Sequence, residues 1–467
     1  MESESSAVTK ETHLSDAGFG NLPNHWSVIE VEETLSGDRG ISVGVMYPGK
    51  HDPNGVPLVK AGDLSGNTLK TTPEFRISPK KHEEYQRTEF QGGELLMTLV
   101  GTIGQCAIVK PSMKGWNSAR AVAVLRLEDG SDAAFLRYCF VSPQLNYLMN
   151  AWANTTVQTT LNLKEIRKLP VPWPPKSERD AIASILGSLD DKIELNRRMN
   201  ETLESMARAI FKSWFVDFDP VRAKMDGRQP AGMDQATADL FPDAFEDSPL
   251  GQIPAGWSAA PFKKHVTVER GLSYKGSGLS DSGVPMHNLN SILEGGGYKY
   301  AGIKFYAGDY KEKHVVVPGD LIVTNTEQGF NHLLIGHAAI VPEQFGAMGI
   351  FSHHIYRVRL IEDSPLSPQY FVHLINMRRW HELIAGFSNG TTINMLPKDA
   401  LEKPMLIEPP KELVSKFTDF ANTSAQRTEH SVVQNARLAI LRDTLLPKLL
   451  SGELRVKDAE KAVSSAL

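Results

Sequence analysis

An internal repeat of roughly 230 residues constrains this chain more than any other feature, because it is far longer than the periods of solenoids and propellers. The first copy opens with LPNHW, ending at Trp26, and the second opens with IPAGW, ending at Trp257. The run GGELLMTLVGTIGQCAIVKP (residues 92–111) is answered by PGDLIVTNTEQGFNHLLIGHAAIVP (318–342), and each predicts a strand, a glycine-rich loop and a second strand. The matched blocks keep one order and similar spacing, so the sequence predicts two copies of one mixed α/β domain.

Each copy ends in a proline cluster that is followed by a long run with helical spacing. In residues 177–215 the apolar positions recur at intervals of mostly three and four, the pattern of a coiled-coil seam. These positions are Ile182, Ile185, Leu189, Ile193, Met199, Leu203, Met206, Ile210 and Trp214. Asn196 interrupts the seam, where a buried polar group can fix register at some cost in stability. A second helix is predicted over 411–446, with a polar centre, SAQRTEHS.

The two helices are predicted to pair antiparallel, because pairing would bury both apolar stripes. The alternative, in which each helix packs only on its own domain, is disfavoured because globular helices seldom exceed about 25 residues. The predicted fold is therefore α+β, with two pseudo-repeated mixed α/β domains separated by two long antiparallel coiled-coil helices. The predicted boundaries are 1–21 for a flexible N-terminal extension, 22–172 for the first domain, 173–216 for the central helix, 217–250 for an acidic linker, 251–408 for the second domain, 409–455 for the C-terminal helix and 456–467 for a tail.

Composition excludes several classes of protein. Two cysteines, Cys106 and Cys139, rule out a disulfide framework or a cysteine-rich zinc module and favour a reducing cytoplasm. The first twenty residues are polar and acidic, which argues against a secretory signal, and no apolar run reaches membrane-spanning length. The net charge of −5 is unevenly distributed: residues 39–168 carry 16 basic against 11 acidic side chains, 257–404 carry 14 against 13, and 216–250 carry 3 against 8. Two mildly basic bodies permit contact with phosphate without requiring it.

The order of two diverged α/β domains and two long helices resembles the specificity subunits of type I restriction–modification systems, the HsdS family, from about residue 22 to residue 456. The most specific markers are AIFKSWFVDFDPVRAKMDG (209–227) and RLAILRDTLLPKLLSGELRV (437–456). The resemblance implies that each domain is a target recognition domain that reads one half of a split DNA target. It also implies that the helices set the spacing of the half-sites. The second helix lacks a copy of WFVDFDPV, which leaves open whether partner contacts are symmetric.

The same resemblance implies the partners of the chain. Two methyltransferase (M) subunits would dock on the helices, and restriction (R) subunits would join that core. S-adenosylmethionine, ATP and Mg²⁺ would serve those partner subunits, and this chain would hold no cofactor of its own.

The sequence carries no recognisable catalytic motif. DNA methylation requires a glycine-rich cofactor turn and an Asn-Pro-Pro-Tyr-like loop that holds the flipped base, and the only near match, PWPP at 172–175, lacks a polar base-holding residue. A GxxxxGK loop for nucleotide phosphates is absent, and the acidic residues of 243–247 have no lysine nearby for metal-assisted cleavage. His353 and His354 are predicted to lie on a strand and point to opposite faces, so no metal site is expected.

These observations predict a non-catalytic, cytoplasmic subunit that binds double-stranded DNA, takes part in DNA methylation and host defence through its partners, and has no membrane partner. Two alternatives remain. A DNA methyltransferase with fused recognition domains would require the missing motifs, and a non-DNA coiled-coil scaffold is permitted by the weak basic charge.

Residues that read bases are expected on loops with hydrogen-bond donors and acceptors, since Arg and Lys suit guanine, Asn and Gln suit adenine, and hydroxyls suit either. The candidates in the first domain are Lys60, Arg76, Lys80, Lys81, Thr102, Arg120, Thr155, Thr156 and Gln158. Those in the second domain are Tyr274, Lys275, His287, Asn288, Asn290, Asn325, Gln328, Asn331, His332, Asn389, Thr391 and Thr392. The alternative at each position is an ordinary solvated loop residue, and phosphate contacts usually outnumber base contacts. The target sequence cannot be read from these residues.

Overall fold

The computed structural model describes residues 18–37, 39–65, 68–155, 159–328, 331–390 and 393–467, with only the backbone of Ser65, Asn154 and Thr155. The chain divides into two compact units. The described part of the first unit comprises residues 18–195 and 435–467, and the second unit comprises residues 196–434. The first unit is therefore assembled from two separate stretches of chain, whereas the second is formed by one.

The first unit contains a mixed α/β body. Its strands are β1 (Ser27–Glu30), β2 (Ile41–Val43), β3 (Val56–Val59), β4 (Leu64–Ser65), β5 (Thr68–Leu69), β6 (Arg76–Ile77), β7 (Leu95–Thr98), β8 (Cys106–Ile108), β9 (Asn117–Ser118), β10 (Val122–Leu125), β11 (Asn154–Thr155), β12 (Thr159–Thr160) and β13 (Pro170–Trp173). Its helices are α1 (Pro79–Glu83), α2 (Ala133–Val141), α3 (Pro143–Trp152), α4 (Leu163–Arg167) and the N-terminal half of α5 (Lys176–Phe215).

The second unit repeats this plan. Its strands are β14 (Phe245–Ser248), β15 (Gly251–Pro254), β16 (Ser258–Pro261), β17 (Val266–Arg270), β18 (Leu279–Ser280), β19 (Val284–His287), β20 (Lys304–Tyr306), β21 (Val315–Val316), β22 (Leu321–Thr324), β23 (Thr326–Gln328), β24 (Ala338–Ile340), β25 (Gly349–Phe351), β26 (Ile355–Leu360), β27 (Ile393–Met395) and β28 (Met405–Glu408). The remaining helices are α6 (Asp219–Met225), α7 (Gln235–Asp239), α8 (Pro368–Asn376), α9 (Arg378–Ala385), α10 (Lys411–Leu450) and α11 (Val456–Ser464). The C-terminal half of α10 and all of α11 belong to the first unit.

Both bodies are built on a four-stranded antiparallel sheet with the same strand order. The order is β2-β10-β7-β8 in the first unit and β17-β26-β22-β24 in the second. The registers correspond, since Leu95 lies opposite Leu125 and Leu321 lies opposite Val358. The repeat predicted from the sequence is therefore present as two copies of one sheet.

The central strands are apolar on both faces because each face meets a different core. Along β7, Leu95 and Met97 pack against the helices, whereas Leu96 between them faces a second core beneath the small sheets. In β22, Leu321 and Ile322 divide between two cores in the same way. Alternate strand residues point to opposite faces, so a strand covered on both sides reads as a continuous apolar run.

A buried carboxylate precedes the central strand in each unit and binds an arginine of the neighbouring strand region. Glu94 lies 3.6 Å from Arg126 in the first unit, and Asp320 lies 2.6 Å from Arg359 in the second. Each carboxylate also accepts backbone N–H groups from the turn in front of its strand. The two units thus share a polar anchor as well as a strand order.

The units differ in the sheets that cover the face of the four-stranded sheet opposite its helices. In the first unit this region consists of a three-stranded sheet, β6-β3-β9, and the separate pair β4-β5. In the second unit a single five-stranded sheet, β18-β20-β19-β25-β21, takes the corresponding place in chain order.

Within the first unit, the N-terminal half of α5 packs against the C-terminal half of α10. Ile182 and Leu189 share one core with Leu438 and Leu445. Arg442 binds Asp190 at 2.7 Å. Asp190 also accepts hydrogen bonds from Arg137 and from the Tyr138 hydroxyl of α2, so the body and both long helices meet at one carboxylate.

Within the second unit, the two remaining helix halves pack together. The Asn196 side chain is only 2% exposed, and its amide donates a hydrogen bond of 2.8 Å to the side-chain oxygen of Gln434. Further along, the rings of Phe211 and Phe417 lie 5.3 Å apart. As one residue number rises the other falls, so the pairing is antiparallel, as predicted. The placement of Asn196 in the seam is also confirmed.

The seam is not the one predicted at every position. Met206 was expected to be buried but is 46% exposed, whereas the next residue, Ala207, is buried, as is Phe211. Opposite this stretch, α10 buries the small side chains of Ser424 and Ser431. The middle of the helix pair therefore buries small and polar side chains, and it does not follow the strict heptad pattern.

A short helix follows each long helix. The end of the long helix or the turn that follows it packs against the tryptophan near the start of one copy of the repeat. After α5, the rings of Phe215 and Phe218 lie 6.2 and 5.8 Å from that of Trp257. After α10, the turn at Gly452 lies so close to the first copy that an added Cβ would be 2.3 Å from Pro23 and 3.6 Å from Trp26. The second helix therefore has a structural counterpart of the WFVDFDPV run, although the sequence does not repeat it.

Three segments differ from their predicted description. Residues 217–250 were predicted to form a linker, but they contain α6, α7 and β14, and Val221 and Phe241 are buried in the core of the second unit. The predicted tail contains α11, whose Ala459 is buried in the first unit. In the predicted N-terminal extension, Phe19 is buried in the same core, and residues 1–17 lie outside the described residues. These buried apolar residues were not predicted because they are few and widely spaced among polar and charged residues.

Candidate nucleic-acid interface

Hydrogen bonds to the Thr98 hydroxyl hold the loop that follows the central strand of the first unit, residues 99–105. The Thr98 hydroxyl donates to the carbonyl of Thr102 and accepts from the N–H of Gln105. Gly104 has a φ of +81°, and an added Cβ would lie 2.6 Å from Met149 of α3. Glycine is required here because other L-residues avoid this backbone region and because the helix leaves no space.

The second unit forms the equivalent loop, residues 325–336, by the same device. The Thr324 hydroxyl donates to the carbonyl of Leu334, and the N–H of Gly336 donates to the carbonyl of Thr324 at 2.9 Å. Gly336 has a φ of +84° and packs against Ile384 of α9. The loops therefore correspond residue by residue at their bases and differ in the number of residues between them.

A second segment lies beside each loop. In the first unit the backbone of Leu161 bonds that of Leu99, which places the β11–β12 hairpin next to the loop. In the second unit β23 pairs with β27, so that Gln328 lies opposite Ile393, and Asn389 forms a bridge with Met395. The predicted residues Thr155 and Asn389 thus lie on segments beside the glycine-rich loops, although their separation in sequence gave no indication of this contact.

Several predicted residues of the first unit lie exposed at these loops or elsewhere on the body. Thr102, Lys60, Lys80 and Arg120 are exposed. The Lys60 ammonium lies 3.8 Å from the centre of the Phe75 ring, the arrangement of a cation–π contact.

Two other predicted residues of the first unit have local partners. Arg76 donates to the carbonyl of Gly55 at 3.0 Å, and Lys81 pairs with Glu84. The structure describes only the backbone of Thr155, and Thr156 and Gln158 lie outside the described residues.

In the second unit the structure brings four predicted residues to one loop region. Gln328, Asn331 and Asn389 are exposed, and His332, which is half-buried, has a φ of +50°. Lys275 is exposed, and Asn290 is exposed but accepts a hydrogen bond from Lys299 at 2.7 Å. Thr391 and Thr392 lie outside the described residues.

Three predicted residues of the second unit, His287, Asn288 and Asn325, are buried. The ring of His287 bonds the Tyr298 hydroxyl at 2.8 Å, and burial lowers the pKa of His287 to about 4. Asn288 donates to the carbonyl of Met286 and accepts from the N–H of Asn290, so it shapes a turn. Asn325 donates to the carbonyl of His353. Their polarity suggested base contacts, but in this structure Asn288 and Asn325 bond backbone groups and His287 bonds a side-chain hydroxyl. All three are buried, although Asn288 also lines the cleft described next.

Sequence reasoning missed an open cleft of about 650 Å³ in the second unit. It adjoins the loop region through Leu334 and contains the predicted residues Tyr274 and Asn290 together with two lysines, Lys299 and Lys304. The strand that carries Lys304, β20, pairs with β19 as β6 pairs with β3 in the first unit. The alternation of the two lysines with glycine and tyrosine in GGGYKYAGIK was the available signal.

His353 and His354 occupy a turn between β25 and β26, so the prediction that they lie on a strand and point apart was wrong. Their rings are 3.9 Å apart, and His354 bonds the hydroxyl of Thr326 at 3.0 Å. Burial lowers the pKa of His354. Among the described residues, no group of three or more His, Cys, Asp or Glu side chains is arranged to hold a metal ion.

Within the described part of the chain, no helix combines the length and apolar character needed to cross a membrane.

Comparison with known proteins gives one family. A model of the type I restriction modification DNA specificity domain matches residues 48–205. The MjaIX type I specificity subunit of Methanocaldococcus jannaschii is 22% identical over 463 residues, which cover 96% of this chain and 98% of that protein. The HindI specificity subunit of Haemophilus influenzae is 26% identical over 328 residues, covering 63% of this chain and 71% of that protein.

A solved structure shares the fold. The crystal structure of a type I restriction–modification S subunit from M. genitalium superposes with a TM-score of 0.56 at 13% identity, covering 92% of this chain and 96% of that one. Two α/β units with the same loop scaffold, together with paired long helices, are the architecture expected of a specificity subunit. The chain is similar to type I restriction–modification specificity subunits, and the comparisons confirm the resemblance to the HsdS family stated from the sequence.

Proposed function

We propose that this chain is the DNA-reading subunit of a type I restriction–modification complex, and that each unit reads one half of a split target. The observation that carries the proposal is the duplicated loop scaffold. Thr98 and Gly104 in one unit, and Thr324 and Gly336 in the other, hold equivalent loops beside equivalent polar segments. A protein that reads two half-sites requires two such surfaces, and a relative named a specificity subunit aligns along 96% of this chain.

The exposed side chains of these loops suit contact with base edges. Gln328, Asn331 and Asn389 can donate and accept together, as adenine requires, and the Thr102 hydroxyl suits several bases. Lys299 and Lys304 in the cleft and the exposed Lys275 are suited to phosphates. The DNA-binding role of the residues predicted from the sequence remains a proposal.

The proposal assigns catalysis to partner subunits. The chain carries none of the three catalytic motifs sought, so methyl transfer would come from two M subunits using S-adenosylmethionine, and DNA cleavage from R subunits using ATP and Mg²⁺. The long helices α5 and α10 are the proposed docking elements for the M subunits.

The test is reconstitution of methylation. The chain is purified, combined with its methyltransferase partner and S-adenosylmethionine, and incubated with genomic DNA, and methylated positions are then mapped by sequencing. We expect methylation at one split sequence that requires both proteins. The matched controls are each protein alone. Methyl transfer by the chain alone, or methylation by the mixture without any sequence preference, would contradict the proposal.

A further inference from the structure

Glu327 connects the two ends of the loop that follows the central strand of the second unit. Its carboxylate accepts backbone N–H groups from Leu333, Leu334 and Ile335 at 2.8, 3.1 and 2.9 Å. The side chain lies with only 7% of the residue exposed, and the backbone of Glu327 pairs with Asn394 in the adjacent strand. One carboxylate therefore binds three successive amides that lie six to eight residues further along the chain.

The residues between these two attachment points include predicted base-reading side chains. Asn331 and His332 directly precede the first bound amide, and Gln328 directly follows Glu327. His332 has a φ of +50°, in the left-handed region that costs an L-residue free energy unless its surroundings hold it. The Glu327 contacts begin at the very next residue, so they are placed to hold that backbone.

Among the described residues of the first unit, no carboxylate binds the loop 99–105 in this way. Its shorter loop is closed by the Thr98 hydroxyl, and the second unit retains the corresponding hydroxyl in Thr324. The Glu327 carboxylate therefore adds contacts to the hydroxyl contact by which both units close their loops. Hydrogen bonds from N–H groups to an ionised carboxylate are stronger than those between neutral groups, so three of them hold the backbone from Leu333 to Ile335 firmly.

We propose that Glu327 is the positioning residue for DNA recognition by the second unit. By fixing the backbone from Leu333 to Ile335 it holds Asn331 and His332 at one place, and base discrimination in that half-site depends on it. Glu327 itself does not touch DNA. This inference rests on the proposed function, because it assumes that the second unit reads one half of a split target.

The experiment measures base preference in each half-site separately. Complexes of this chain with its methyltransferase partner are assayed on duplexes in which every position of both half-sites is varied singly. The half that belongs to the second unit is identified by exchanging residues 251–408. For Glu327→Ala we expect the preference for the correct base to fall roughly tenfold at one or more positions of that half, the size of one lost base contact. The other half should keep its preference.

Two further variants separate positioning from folding. Glu327→Gln keeps the shape and one acceptor oxygen, so its loss should be smaller than that of Glu327→Ala. Asp320→Asn removes a buried carboxylate that directly precedes the neighbouring strand β22, where it binds Arg359 and accepts from the N–H of Val317. It should lower thermal stability and leave base preference in both halves unchanged.

The outcomes are distinct. Unchanged preference in Glu327→Ala would overturn the inference, as would an equal loss in both halves or the same loss in Asp320→Asn. Absence of base preference in one half of the wild-type target would instead overturn the proposed function. The inference is supported only if the loss is confined to one half and is graded from Ala to Gln.

Discussion

The two units share a sheet but not the means by which they hold their loops. In the first unit a hydroxyl closes a loop of seven residues, 99–105, against α3. In the second, a loop of twelve residues, 325–336, is additionally bound by Glu327 and lies beside a lysine-containing cleft. The scaffold is set by apolar strands buried on both faces, which tolerate few changes. The loops can therefore vary in length and chemistry, provided that each added residue finds partners for its backbone.

The units also differ in histidine content. Ten of the 14 histidines lie within residues 196–434, and burial lowers the pKa of seven of them. The rings of His337 and His381 stack 3.7 Å apart beneath the loop, and His381 bonds the carbonyl of Ile335. In the first unit Asn146 occupies the equivalent place and donates to the carbonyl of Ile103. The same loop base is therefore held by a titratable group in one unit and by an amide in the other.

The largest effect is expected from exchanging whole bodies. Replacing residues 22–170 with the body of a relative should change one half of the DNA target completely and leave the other half intact, because each sheet carries its own loops. Replacing 251–408 should do the reverse. The measurement is methylation-site sequencing with each chimaera. A change in both halves after a single exchange would show that the units do not read independently.

The helix pair should be more sensitive in the first unit than in the second. Asp190→Ala leaves Arg137 and Arg442 without their shared carboxylate, at an expected cost of about 3 kcal/mol. Asn196→Leu replaces a polar seam contact by an apolar one and should change stability by less than about 1 kcal/mol. Hydrogen exchange measured separately for 18–195 and 196–434 reports each cost. Equal losses of stability in the two variants would show that the two parts of the helix pair do not differ in sensitivity.

Acid should destabilise the second unit selectively. Burial lowers the pKa values of His287 and His337 from 6.5 to about 4. Between these values the unfolded chain binds protons that the folded unit does not, so stability falls as pH falls through this window and levels off below about pH 4. From pH 7 to pH 5 the two histidines together should cost about 3 kcal/mol.

The acid effect is measured by hydrogen exchange at both pH values, corrected for the intrinsic exchange rate. His287→Gln is the matched variant, since it removes one titrating group and should remove about half of the cost expected from His287 and His337. A pH dependence in 196–434 that is the same with and without His287 would show that other groups cause it.

Effects smaller than those of Asp190→Ala or of acid are expected at the paired glycines. Gly104→Ala and Gly336→Ala each force an L-residue into a positive φ next to a helix, and each should cost its own unit about 1–2 kcal/mol. Gly62→Ala is the control, because an added Cβ there meets nothing within 4 Å. Thermal unfolding and base preference should both shift for the two loop glycines, each in one half only. Equal shifts in the control would exclude a special role for the loop glycines.

Much of the fold followed from the sequence because it rests on periodic apolar residues. The predicted helix starting at Lys411 begins at that residue, and the helix predicted to start at residue 177 begins one residue earlier, at Lys176. Met206 was misplaced because its spacing fits a heptad, whereas the observed seam shifts to Ala207 where the facing helix contributes serines. Spacing on one helix does not reveal the size of the residues opposite it.

The site was less predictable than the fold. The loops were located because glycines and β-branched residues mark strand ends, but polarity alone did not distinguish Asn331, which is exposed, from Asn325 and His287, which are buried. That distinction depends on which backbone groups lack partners after the sheets have formed. Glu327 was missed for the same reason, since its three bound amides become neighbours only when the loop closes.

The division of the first unit into two stretches of chain has a consequence for biosynthesis. The chain leaves the ribosome from its N-terminus, so all of residues 196–434 emerge before any of residues 435–467 does. The second unit can complete its core at that stage. The first unit waits for the C-terminal half of α10 and for α11, which supply Leu438, Leu445 and Ala459 to its core. The unit that is translated first is therefore the one that is completed last, and its unfinished apolar surface is the part of the nascent chain that most needs protection.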